Sequence, residues 1–182
     1  MTDLDSIDFE ELVEINCFSE NAADKAKAAE LLEKDYNCQI VIQDMARDVK
    51  FAHHARGSII IAAKLSRNVV IMQNVTIDTN MRYNKLTEQW ENVGNPILDE
   101  NVIVADGAKI LGPVIIGENT VIGAGAIVTK DIPANSVAFG VNSYKPKDPN
   151  YDLLFNDKML NPKEIIAINN QRIEQFKRDK SV

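Results

Sequence analysis

The feature that most limits what this chain can fold into is a period of six. From Leu98 onward every sixth residue is aliphatic: Val104, Ile110, Ile116, Ile122 and Val128. A second small or apolar set, Val102, Ala108, Val114, Thr120, Ala126 and Ile132, follows four residues after each start. Between the two sets sit the turn formers Asn101, Gly107, Pro113, Asn119, Gly125 and Asp131. A helix cannot bury the aliphatics together, because six steps of ~100° turn the side chain by about 240° and spread them over three directions. A flat strand fails as well, since alternation would bury Glu100, Asp106, Glu118 and Lys130 beside them. A short strand, a corner and another short strand every six residues satisfies the pattern. The chain then winds into a parallel β-helix in which each aliphatic stacks on its counterpart one coil away.

The same phase is read upstream as Ile59, Leu65, Ile71 and Ile77, with Ala63, Val69 and Val75 four residues on. Two places interrupt it. Phe51 to Ile59 is eight residues rather than six, which predicts two extra residues bulging around His53-His54-Ala55-Arg56-Gly57. Ile77 to Leu98 is 21 residues rather than 18, which predicts a loop insertion over 78–96. Loops expelled from a rigid scaffold are where function concentrates. The chain therefore divides into an N-terminal helical segment (1–38), the repeat domain (39–145), and a linker with a C-terminal helix (146–182). Helices are expected over 5–15, 21–34 and from Asn161 to about Arg178, the last opened by Asn161-Pro162-Lys163-Glu164. They are expected to cap the open coil ends or to pack on a neighbouring subunit.

Composition narrows the function classes. Among 182 residues, 20 Lys+Arg face 27 Asp+Glu for a net charge of −7, which argues against nucleic acid as a partner. Two cysteines make no disulfide framework, and two histidines are too few for a histidine-rich metal site, so no metal is expected. No apolar run approaches the ~18 residues of a membrane span, and the acidic start lacks the order of a signal peptide, so a cytoplasmic protein without membrane insertion is expected.

Three stretches carry a resemblance: His54-Ala55-Arg56-Gly57 through Gln73-Asn74-Val75-Thr76, Gly107-Ala108-Lys109-Ile110-Leu111-Gly112-Pro113-Val114, and Ile122-Gly123-Ala124-Gly125-Ala126-Ile127-Val128. Over about residues 39–145 the chain resembles the serine acetyltransferase family, and more broadly the hexapeptide acyltransferases that acetylate serine, sugars and capsular polysaccharide precursors. The resemblance implies a left-handed parallel β-helix, a homotrimer, and acetyl-CoA as cosubstrate lying in a groove between two subunits. The repeat by itself sets the coil and not its hand.

By the same resemblance, His54 matches the family's catalytic histidine, the general base that takes the proton of the acceptor hydroxyl. His53 stands where serine acetyltransferases carry an acidic residue, and it is expected to shape the acceptor pocket or to be structural. Asn95 stands in place of a second active-site histidine, and Gln39 in place of the aspartate that orients the first. Asp44 and Asp48 are candidates to replace that aspartate. Asp106, Gly107, Gly123 and Ala124 are expected to bind CoA at the corners of the late coils. Lys130 and Lys145 are either partners of its phosphates or solvated surface lysines. Arg82 and Trp90, in the insertion with Tyr83 and Lys85, are expected to face the acceptor by hydrogen bonding and stacking, or else to pack on the next protomer.

The leading expectation is therefore an acetyl-CoA-dependent O-acetyltransferase acting on a sugar, a polysaccharide precursor or a serine-like hydroxyl. The departures at Gln39 and Asn95 favour a sugar over serine, and they also motivate a second reading, a catalytically silent trimeric scaffold or binding protein. A hexapeptide-repeat carbonic anhydrase is set aside, because its zinc site needs three histidines.

Overall fold

The structure is a computed structural model and describes residues 7–79, 81–151 and 161–179. Short parallel strands wind into a three-sided coil whose inward residues form ladders. On the first face Ile40, Ile60, Ile77, Ile110 and Val128 stack in register. Met45, Leu65, Leu98, Ile116 and Ile132 stack on the second. On the third the order is Phe51, Ile71, Val104, Ile122 and Ala138. Most of these side chains are fully buried, together with the second aliphatic set, Val69, Val75, Val102, Ala108, Val114 and Ala126. At roughly 1.5–3 kcal/mol for each buried Val, Leu or Ile, the ladders constitute the core of the fold.

Two details of the sequence reading are corrected. Ile59 is 42% exposed and Ile60 is the inward residue, as Ala62 is in place of Ala63. The pairing of Ile60 with Ile77 decides this phase. The histidine corner therefore holds three extra residues rather than two, and the next face is one residue short. The second correction concerns the insertion. Ile77 lies on the first face and Leu98 on the second, so 21 residues replace a single step of six. Fifteen residues leave the coil, within the insertion expected over 78–96, and they carry an antiparallel hairpin of Met81–Asn84 with Gln89–Asn92.

The corners explain the turn formers. Between the second and third faces, Asn68, Asn101, Asn119 and Asn135 all hold positive φ, a region asparagine tolerates better than other side-chain-bearing residues. Their amides form a ladder: Asn68 Nδ2 donates to Asn101 Oδ1 at 3.1 Å, Asn101 to Asn119 at 2.9 Å, and Asn119 to Asn135 at 3.3 Å. Asn101→Ala breaks two of these bonds and puts a β-carbon without a compensating amide at φ 58°, so it is expected to cost about 1–2 kcal/mol in urea denaturation. Asn101→Gly, which keeps the backbone, is expected to cost less. At the next corner the turn belongs to Gly112 (φ 97°) rather than to Pro113.

The N-terminal end of the coil is closed by α1 (Phe9–Phe18) and α2 (Ala22–Tyr36). Asp8 caps α1 by accepting from the Glu11 amide, and Asn21 caps α2 by accepting from Ala23. Their buried residues, Phe9, Leu12, Val13, Ala28, Leu31 and Leu32, join the same core as Cys38 and Ile40. The start expected at residue 5 lies outside the described residues. At the other end, Ser143–Pro146 folds back antiparallel on Ser136–Phe139. Helix α3 (Pro162–Asp179) carries Ile168, Ile173 and Phe176, whose side chains are half exposed or more. Among the described residues, no helix is long and apolar enough to cross a membrane.

Candidate functional site

The corner between the third and first faces gathers most of the singled-out residues. Successive coils pass through it at 52–58, 72–75, 105–108, 123–126 and 139–141, each rung about 5 Å above the last. Backbone bonds tie the rungs together: Asn74 N donates to Arg56 O at 2.8 Å, Gly107 N to Gln73 O at 3.2 Å, and Gly125 N to Asp106 O at 2.9 Å. His53 and His54 occupy the lowest rung, Asp106 and Gly107 the third, and Gly123 and Ala124 the fourth. The candidate base and four candidate cofactor residues thus share one edge of the prism.

The lowest rung is unusual in its backbone. His53, His54 and Ala55 take φ of 54°, 57° and 47°, three consecutive non-glycine residues in the left-handed region. Each costs about 1–2 kcal/mol, so surrounding structure must hold them there. Ala52 and Ala55 are buried and pin the two ends, while both histidines face out. Gly57 N donates to Asn37 O and Ser58 N to Ala55 O, both at 3.0 Å. Two features favour the glycine of His-Ala-Arg-Gly: φ is 73°, and a Cβ there would sit 2.6 Å from Asn74 Oδ1 and push that side chain aside.

His54 has no carboxylate hydrogen-bonded to its ring among the described residues. Asp44 instead pairs with Lys64 at 3.3 Å, and Asp48 lies beside Arg67. Gln39 donates its backbone amide to Ser58 O from the first face. What meets the His54 ring is aromatic: Phe9 at 5.1 Å and Tyr36 at 5.5 Å between centroids. Sequence reasoning missed both, and it missed Arg56, whose guanidinium lies 5.2 Å from the Tyr36 ring centre. The signal for Arg56 was its place inside the His-Ala-x-Gly element. For Phe9 and Tyr36 there was none.

Asp106 has a partner of its own: its Oδ1 accepts from Asn74 Nδ2 at 3.0 Å, which braces the corner. Lys130 and Lys145 do not share this edge. Lys130 follows the first face of the last coil, and Lys145 pairs opposite Val137 on the returning strand. The remaining acceptor candidates sit on the corner between the first and second faces. There Asn95 lines a groove of about 480 Å³ with Gln43, Ala63, Asn92, Ile97 and Pro113. In the hairpin, Arg82 donates to Glu91 at 3.0 Å, and Trp90, 65% exposed, meets the Tyr83 ring at 5.4 Å. Hydrogen bonds from Asn84 and Arg82 hold the Glu91 carboxyl below the usual carboxylate range. Within one chain, then, His53 joins His54, whereas Asn95, Arg82 and Trp90 lie across a face of the prism.

Neither cysteine offers a competing nucleophile, since burial pushes the Cys17 and Cys38 thiols up to about 11. Among the described residues, no group of three or more His, Cys, Asp or Glu is placed to hold a metal ion.

The bacterial transferase hexapeptide model (six repeats) matches residues 95–130. Among curated proteins, a putative serine acetyltransferase of Schizosaccharomyces pombe is 36% identical over 94 residues, covering 51% of this chain and 32% of that protein. The galactoside O-acetyltransferase of Escherichia coli K12 is 44% identical over 77 residues, covering 41% of this chain and 38% of that protein. The chain spans about a third to two fifths of the length of these curated relatives. Among solved structures, the serine acetyltransferase of Neisseria gonorrhoeae superposes with a TM-score of 0.61 over 82% of this chain and 57% of its own, at 23% identity, a likeness of fold. A serine acetyltransferase in complex with CoA superposes with a TM-score of 0.52 over 71% of this chain and 51% of its own, at 22% identity. The chain thus carries the bacterial transferase hexapeptide repeat over residues 95–130 and is similar over its coil to serine acetyltransferases and galactoside O-acetyltransferases.

Proposed function

We propose that the chain is an acetyl-CoA-dependent O-acetyltransferase that transfers acetyl directly to a hydroxyl of a sugar, a polysaccharide precursor or a serine-like acceptor. The observation that carries this reading is the shared edge: His54 stands at the foot of a stack whose later rungs carry Gly107, Gly123-Ala124 and Gly125, and at Gly107 and Gly125 a Cβ would meet no atom closer than 3.9 Å, which leaves room for a long, narrow cosubstrate. His54 takes the proton of the acceptor hydroxyl as its oxygen attacks the thioester carbonyl. Collapse of the tetrahedral adduct then breaks the carbon–sulfur bond, and the imidazolium returns the proton to the departing thiolate. His53 borders the acceptor. Because Asn95, Arg82 and Trp90 lie on the next corner, they reach an acceptor beside His54 only when a second copy of the chain brings its own corner there. The assembly proposed is accordingly a trimer with a groove between subunits.

The alternative is a silent trimeric scaffold. It draws on the ring of His54, which no described carboxylate orients, as catalysis by histidine commonly requires. One experiment separates the two. Purified protein is incubated with acetyl-CoA and a panel of serine, galactosides, glucosides and amino sugars, free thiol is followed, and light scattering gives the mass. Thiol release dependent on one acceptor class, from a trimer, is the expected result. No release with any acceptor, and no rise in melting temperature with CoA, leaves the scaffold reading standing. A monomer that nevertheless transfers acetyl removes the inter-subunit groove.

A further inference from the structure

We infer that Phe9 and Tyr36, carried by the two N-terminal helices, are positioning residues for His54 and do the orienting that a carboxylate does elsewhere. The inference rests on the reading of His54 as general base. Three observations lead to it. First, the three-residue left-handed turn throws the His54 ring out of the coil, where no strand neighbour can fix it. Second, its ring meets two aromatic rings, Phe9 tilted by 49° and Tyr36 nearly edge-on at 69°. Third, those rings are themselves fixed. Phe9 is 2% exposed and meets Tyr36 at 5.0 Å and Phe51 at 6.3 Å. Tyr36 ends α2, is covered by the Arg56 guanidinium, and Arg56 Nη1 donates to the Asp35 carbonyl at 3.4 Å.

A ring gripped this way loses rotamer freedom without gaining a negative neighbour. Aromatic pairs in edge-to-face geometry contribute enough to favour one ring orientation by about tenfold. The helical cap therefore does more than close the coil: the segment that shields the first coil also sets the direction of the base. The hydroxyl of Tyr36 makes no hydrogen bond among the described residues, so the ring and not the phenol carries the role.

The test compares the full-length wild type with Tyr36→Phe, Tyr36→Leu and His54→Ala. Tyr36 is only partly buried, so the leucine variant is expected to fold, and circular dichroism checks this. The expected result is that Tyr36→Leu lowers kcat about tenfold with KM for acetyl-CoA unchanged, while Tyr36→Phe stays within about twofold of wild type. In parallel, the His54 ring-proton NMR resonances, shifted by ring currents in wild type and in Tyr36→Phe, move in Tyr36→Leu. Retained kcat in Tyr36→Leu, whether or not the resonances move, overturns the positioning role while His54→Ala remains inactive. A His54→Ala enzyme as active as wild type, or a wild type without activity, overturns instead the reading of His54 as base and takes the positioning role with it. Should Tyr36→Leu not fold, Tyr36→Met, which also removes the ring while filling its place, replaces it with the same readouts.

Discussion

His54→Ala is expected to lower the rate of acetyl transfer by about 10²–10⁴, the usual contribution of a positioned general base, while leaving the coil and CoA binding intact. A hydroxyl is a poor nucleophile at neutral pH, and imidazole is the side chain whose ordinary titration range suits the removal of its proton. Among the described residues of this edge His53 is the one other imidazole, and the remaining groups do not compete. Asp106 is engaged by Asn74 two rungs above, and the thiols of Cys17 and Cys38 are held protonated by burial. The fold should not suffer, because His54 is exposed and its neighbours Ala52 and Ala55 supply the buried anchors. Thiol release measures the rate, and the rise in melting temperature with CoA reports binding in the same samples. The His53 ring does not stack with Phe9 or Tyr36, so His53→Ala should fall far less in kcat and should show its effect in KM for the acceptor. Equal losses in the two variants would remove the distinction between base and pocket.

Gly117→Ala is expected to be the most damaging small substitution in the coil, at about 3 kcal/mol, read as a lower urea midpoint. Its cause is spatial and not a matter of φ. A Cβ on Gly117 would lie 2.4 Å from Ala134 N, 2.8 Å from Ala134 Cα and 3.0 Å from Pro133 C. All three are backbone atoms and cannot swing aside. The crowding follows from the repeat itself: Leu98 pairs with Ile116 eighteen residues on, but Ile116 pairs with Ile132 only sixteen on, so the last coil cuts its corner across Gly117. Gly112→Ala is the control. Its Cβ would meet no atom within 4 Å, and only the positive φ of 97° opposes it, so about 1 kcal/mol is expected. If the two variants unfold at the same urea concentration, close backbone approach is not what glycine supplies at position 117.

Much of this molecule was legible in the period of six. The coil, its inward ladders and the corner asparagines and glycines follow from spacing alone, because a side chain's direction in a coil of short strands repeats with its place in the hexapeptide. Where the reading slipped, locality is the reason. Ile59, Ile60 and Ile61 are equally apolar, so the phase of that strand is settled only by which of them lies beside Ile77 in the next coil. A phase shift of three past Ile77 shows that residues were added, but not how many whole faces they bypass, and the hairpin of Met81–Asn84 with Gln89–Asn92 took fifteen.

The site divides along the same line. His54 and Gly57 were visible as a break in the count, and the structure added what favours glycine at 57, the Asn74 side chain stacked directly upon it. The sequence by itself determined the ladder, the bulge and the residues of the corner, since each is a matter of spacing within a few coils. Only the tertiary structure decided that His54 shares an edge with Gly107 and Gly123, that Asn95 and Trp90 stand on another, and that Phe9 and Tyr36 meet the histidine ring. Those are relations between residues 18 to 69 positions apart. They are set by how coils stack and how two helices close an open end, and no local period records either.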